Sequence, residues 1–145
     1  MNYFGKIVDG KMTLNDYGKI AEKFWYVIPK NYMKSQIDYF IIMPNHIHGI
    51  IIIENEIYSP YDNPVGNENF RSLHNNRSQH NNPHHKTNLS NIIKGFKIGC
   101  TKEIKNNYND NGFGWQKSFY DVIIRNDEQL EKIRQYIIDN PMKGE

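Results

Sequence analysis

Apolar positions along the chain fall into runs of two different periods, separated by one long polar stretch. From Thr13 to Tyr32, the residues Leu14, Tyr17, Ile20, Ala21, Phe24 and Ile28 recur at steps of three and four, which places them on one face of a helix. Thr13 or Asn15 can cap its start, and Pro29 pushes its end. Ahead of it, Tyr3 to Val8 reads as a short strand, and Asp9-Gly10 as a two-residue hairpin turn into Lys11-Met12. Ile37 to Met43 and His46 to Glu54 are β-rich runs around Pro44-Asn45, and strands joined by so short a turn form an antiparallel hairpin. Their nearly continuous apolar character predicts strands covered on both faces.

Periodicity disappears from Tyr58 to Lys86. Asn67 to His85 is mostly Asn, His, Ser and Arg, with Phe70 and Leu73 almost its only large apolar residues. Such a stretch buries too little surface to offset its ordering entropy, so residues 58–86 are expected to be a flexible polar insert. Helical period returns at Thr87 to Asn106, where Leu89, Ile92, Ile93, Phe96, Cys100 and Ile104 form an apolar stripe and Lys94, Lys97, Thr101 and Lys105 a separate basic face. Asn107 to Gly114 is turn-rich. Trp115 to Arg125 alternates as a strand does, and Tyr120, beside Phe119, is expected to pack there. Asp127 to Asn140 is a last helix, stopped by Pro141. The order β-α-β-β-α-β-α predicts an α+β sandwich, with helices packed on one antiparallel sheet.

Composition narrows the classes further. The 145 residues are one domain's length, enough for a single core. Apolar runs such as Ile50 to Ile53 fall far short of the ~20 residues that a bilayer crossing needs, so no membrane partner is expected. Cys100 stands alone, which excludes an internal disulfide framework and suits a reducing, cytoplasmic setting. The formal charge of +2 is too small to argue nucleic-acid binding by itself. Asn occurs 20 times, a bias that suits an AT-rich genome and changes nothing about function.

Two constellations carry candidate chemistry. In Met43-Pro44-Asn45-His46-Ile47-His48 the two histidines are two apart, so on a strand both imidazoles point to one face. They make half a site for a divalent ion, or else a polar pair at a strand edge. In Tyr136-Ile137-Ile138-Asp139-Asn140-Pro141, Tyr136 and Asn140 are four apart and share a helix face, where they offer a phenol and an amide to a common point, or else a half-buried Tyr near a helix end. The remaining histidines, His74, His80, His84 and His85, all lie in the polar insert and read as compositional rather than as chelators.

Together these phrases resemble a known family. Ile41-Ile42-Met43-Pro44-Asn45-His46-Ile47-His48-Gly49-Ile50 is similar to the HUH motif (His, hydrophobic, His) of single-tyrosine, IS200-like transposases. Tyr136 to Lys143 resembles the tyrosine helix of their REP-associated branch, and Ile92 to Lys97, Trp115 to Asp121 and Ile124-Arg125-Asn126 resemble further family phrases. The resemblance implies a ferredoxin-like HUH-endonuclease fold. It also implies an enzyme that cuts and rejoins single-stranded hairpin DNA through a 5′-phosphotyrosine. His46 and His48 would hold Mg²⁺ or Mn²⁺, with Asn140 as a third ligand and Tyr136 as nucleophile. Lys94, Lys97, Arg125 and Arg134 would contact phosphates. Monomer and dimer are both known arrangements in such families, and the sequence does not choose between them. The pattern departs from the family at two places. Members begin with a further strand before the phrase that Tyr3-Phe4-Gly5 resembles, a strand that pairs beside the one carrying the histidines. Val122 stands where relatives often carry His. The first departure motivates an alternative, an inactive hairpin-DNA-binding relic. A third reading is a hydrolytic phosphodiesterase in which Tyr136 is only structural.

Overall fold

The computed structural model describes residues 2–54, 88–115 and 119–143. The polar insert therefore lies outside the described residues, as do its four histidines. What is described is a mixed α+β arrangement of two small antiparallel sheets and four helices.

Strands β1 (Gly5–Val8) and β2 (Lys11–Leu14) form the first hairpin. Asp9 and Gly10 sit at φ 51° and 72°, the pair of left-handed residues that a tight hairpin turn demands. The pairing carries β2 on to Leu14, opposite Gly5. Helix α1 (Asp16–Tyr26) therefore starts three residues later than the apolar spacing predicts. Asn15 is its cap, accepting from the Gly18 N–H at 2.9 Å and donating to the Tyr3 carbonyl at 2.9 Å. The single helix expected to run to Tyr32 is in fact two. α1 stops at Tyr26, and the short α2 (Ile28–Asn31) follows with Pro29 in its first turn, where a missing N–H costs nothing.

Strands β3 (Ser35–Ile42) and β4 (Ile47–Ile53) form the second hairpin. Ile42 pairs with Ile47, Ile41 with His48 and Phe40 with Gly49, and the register shifts between Ile37 and Phe40. Met43 N–H donates to the His46 carbonyl at 2.8 Å, closing the chain around Pro44-Asn45. Phe4 N–H donates to the Pro44 carbonyl at 3.0 Å, so the N-terminal segment holds this turn from outside. Gly49 lets Trp25 lie against the strand, since a Cβ there would stand 2.3 Å from the indole ring. Trp25 in turn stacks on Phe40. Tyr39 and Ile52 are exposed, so the hairpin is not covered on both faces as its apolar character predicts.

Helix α3 (Leu89–Tyr108) is capped by Asn88, whose side chain accepts from Asn91 N–H, and closed by Asn109 in the left-handed conformation. Ile92, Phe96, Cys100 and Ile104 of the predicted stripe are buried against α1, Ile28, Ile42 and Phe4. Lys23 and Glu103 pair across the two helices. Burial pushes the Cys100 thiol up to about 12, so the lone cysteine is an inert core residue. Beyond α3, Phe113 and Trp115 pack on Phe4, and the indole N–H of Trp115 donates to Thr101 Oγ at 3.1 Å.

The chain then departs from expectation. Residues 119–125 form no strand, so the predicted strand from Trp115 to Arg125 is overturned over its described part. Tyr120 is 93% exposed rather than packed, and Val122 and Ile123 are exposed with it. A strand needs a partner's backbone, and among the described residues the sheets are β1–β2 and β3–β4 alone, two sheets and not one. Helix α4 (Asp127–Lys143) follows, capped by Asn126, which accepts from Gln129 N–H at 2.8 Å. It runs through Pro141 instead of ending before it, because a proline so near the last turn removes few intrahelical bonds.

Gly49→Ala tests the packing under the hairpin. The added methyl has no room beside Trp25, so the variant should lose about 1–3 kcal/mol of unfolding free energy in urea titration. A neutral effect would mean that Trp25 does not lie on the strand.

Candidate active site

The second hairpin delivers two imidazoles to one place. His48 belongs to β4, and His46 stands at the exit of the turn just before it, not within the strand. Their Nε2 atoms are 2.9 Å apart, with the rings nearly perpendicular at 85°. Asn45 Oδ1 lies 2.6 Å from His46 Nδ1. A carbonyl oxygen only accepts, so His46 carries its proton on Nδ1 and presents a lone pair on Nε2. His48 Nε2–H is then the donor between the rings. Partial burial holds both imidazoles below the ordinary histidine range, and the neighbouring His46 lowers His48 further.

Helix α4 brings the phenol to the same place. The Tyr136 ring meets His48 edge to face, with centroids 5.5 Å apart. Tyr136 is 47% exposed. One position on, Ile137 is 4% exposed and anchors the helix. One turn on, Asn140 is 8% exposed, and its Nδ2 has no hydrogen-bond partner among the described residues. That orphaned group is a donor, which a cation does not satisfy; a metal would take the Asn140 carbonyl oxygen instead. The donor set suits a small divalent ion, with two imidazole nitrogens converging on one point and an amide on the adjoining helix. Among the described residues no group of three or more His, Cys, Asp and Glu side chains is arranged to hold a metal, so a protein-only carboxylate or thiolate cage is absent there.

The other candidates are placed differently. Arg134 Nε and Nη2 donate to Asp38 Oδ1 and Oδ2 at 2.8 and 2.7 Å, and Nη1 donates to Glu131 at 2.5 Å. Its guanidinium is thus engaged within the protein, not presented to a phosphate, and it holds the Asp38 carboxyl below the usual carboxylate range. Lys94 is exposed and Lys97 half-buried on α3, the helix that packs on α1. Arg125 is exposed just ahead of α4, its N–H held by Gln129 Oε1 at 2.9 Å. Two residues escaped the sequence reading. Asn45 orients His46, and its adjacency inside the motif was the available signal. Asp38 receives Arg134, and a lone acid in an apolar strand was its signal.

The lowered histidine values set a pH dependence. The unfolded chain takes up protons near ~6.5 and the folded chain only below that, so acidification favours unfolding. Stability should fall as pH drops from the ordinary histidine value through the lowered ones. His46→Gln/His48→Gln should flatten that part of the curve, read as the urea midpoint against pH. Imidazole resonances that titrate at or above the ordinary value would contradict it.

No family model matches the chain, and no solved structure matches it. Over 142 residues the chain is 32% identical to a protein of Haemophilus influenzae described as uncharacterized, a match that covers 98% of this chain and 74% of that one. At that identity and coverage, the chain belongs to the same family as the Haemophilus influenzae protein.

Proposed function

We propose that the chain is a single-tyrosine transposase-type enzyme of the HUH class, REP-associated branch, which cuts and rejoins single-stranded hairpin DNA. The observation that carries this reading is the meeting of His46, His48 and Tyr136, from a hairpin and a helix far apart in sequence. In this reading the α+β arrangement is a ferredoxin-like HUH fold whose β4 outer edge is unpaired among the described residues. The protein would work in the cytoplasm, where Cys100 stays reduced. No described helix is long and apolar enough to cross a membrane.

His46 would hold the ion through Nε2, and His48 through Nε2 once its proton has moved to Nδ1, with Asn140 as a third ligand. Mg²⁺ or Mn²⁺ held there would polarise the scissile phosphate and stabilise its developing charge, which a neutral phenol, a weak nucleophile, requires. Tyr136 attacks phosphorus through its phenolic oxygen. The Tyr O–P bond forms and the P–O3′ bond breaks; the phenol's proton passes to solvent, and the departing 3′ oxygen takes one up. The product is a 5′-phosphotyrosine and a free 3′-OH, and a later strand's 3′-OH reverses the step without ATP. Asn45 keeps His46 Nε2 available by holding the proton on Nδ1. Exposed Lys94 and Arg125 are phosphate contacts in this reading, whereas Arg134 is a structural residue.

A second reading, hairpin-DNA binding without cutting, draws on the β4 edge, which among the described residues has no partner and leaves the histidine strand supported from one side. A covalent-adduct gel separates the two. Protein mixed with labelled hairpin DNA from its own gene's flanks should form a denaturant-resistant adduct with Mn²⁺ and none with EDTA. Tyr136→Phe and His46→Ala should each abolish it. Intact DNA with retained binding would overturn the transposase reading and favour the second. Cleaved DNA free of protein would instead indicate hydrolysis. Asn45→Ala should weaken Mn²⁺ binding by about tenfold to a hundredfold in calorimetric titration, and an unchanged affinity would remove Asn45 from the site.

A further inference from the structure

We propose that Asp38 and Arg134 are positioning residues for Tyr136, their ion pair docking the tyrosine helix on the hairpin that carries the histidines. This deepens the reading above and rests on it for the role of Tyr136.

The pair has the geometry of a clamp. Both Asp38 oxygens receive a separate guanidinium N–H, at 2.8 and 2.7 Å, and both side chains are part-buried. The guanidinium also lies 5.3 Å from the centre of the Tyr39 ring and bonds Glu131 on its own helix. A fork meeting a carboxylate fixes direction as well as distance, which a sliding apolar contact does not. The C-terminal end of α4 also meets the first hairpin, where Met142 lies beside Gly10, but that contact is apolar and does not fix direction. Ile137 is its buried aliphatic anchor, whereas Ile138 and Met142 are exposed. The preceding segment, 119–125, has no regular structure and exposes Tyr120, Val122 and Ile123, so it tethers the helix without aiming it. Arg134 and Ile137 are three apart and face β3 together, which sets the roll of the helix about its axis. Tyr136 projects from another face, about 100° round the helix from Ile137, so that roll decides whether its ring meets His48. Asp38 sits on β3 and His48 on β4, paired with Ile41 of the same hairpin. The clamp therefore references the phenol to the strand pair that holds the imidazoles.

The test uses the full chain with Asp38→Asn, Arg134→Lys, and the exchange Asp38→Arg/Arg134→Asp. One readout is the single-turnover rate of adduct formation on hairpin DNA with Mn²⁺, beside the hairpin Kd. The other is the NMR position of the His48 ring protons, which the Tyr136 ring perturbs, with Tyr136→Leu marking the value without that ring. The single variants should lower the adduct rate about tenfold to a hundredfold while Kd stays within about twofold, since a displacement near ~1 Å costs that much in rate. Their His48 resonances should move toward the Tyr136→Leu position, and the exchange variant should recover part of both. Arg134→Lys keeps the charge and loses only the fork, so it reads the clamp with the least disturbance to folding. Unmoved His48 resonances in Arg134→Lys would overturn the proposal, whatever the rates. A wild-type chain that forms no adduct would overturn the transposase reading instead, and the resonance then decides the clamp by itself.

Discussion

The turn at Pro44-Asn45 sets the direction of both imidazoles at the candidate site. It closes through Met43 N–H to the His46 carbonyl, and the pairs Ile42–Ile47 and Ile41–His48 follow from it. A slip of one residue would send both imidazoles to the opposite face. Two contacts guard against that slip. Phe4 N–H holds the Pro44 carbonyl, and Trp25 occupies the space that Gly49 leaves open. With the turn so held, Asn45 is left beside the His46 ring, where it selects the nitrogen that faces His48.

The site is assembled from two halves of unequal rigidity. The hairpin rests through Ile42 and Trp25 on the α1–α3 core, where Phe96, Cys100 and Ile104 are buried. The tyrosine helix arrives on an irregular tether and is fastened by Ile137 and by the Asp38–Arg134 pair. Replacing Arg134 leaves the part-buried Asp38 carboxylate without its cation, whereas replacing Asp38 leaves Arg134 with Glu131 alone.

Much of the local structure was legible because its signals are local. Asp9-Gly10 and Pro44-Asn45 specify tight turns, and the stripe Ile92, Phe96, Cys100 and Ile104 specifies a buried helix face. The proximity of His46 and His48 also followed from spacing. What depended on distant partners was not legible. Leu14 belongs to β2 because Gly5 pairs with it, so the apolar spacing began the helix too early. Trp115 to Arg125 alternates like a strand, yet its described part has no sheet to join, and Tyr120 stands in solvent. Arg134 reads as a surface cation until Asp38, nearly a hundred residues away, is seen beside it. The contact of Tyr136 with His48 is likewise non-local, and only the family resemblance linked the two phrases in advance.

The most direct measurement is peptide mass spectrometry of the protein after incubation with hairpin DNA and Mn²⁺, followed by nuclease digestion. The account predicts a nucleotide linked through phosphate to the peptide containing Tyr136, and to no other tyrosine peptide. An unmodified Tyr136 peptide beside cleaved DNA, or a nucleotide on the exposed Tyr120 instead, would contradict it.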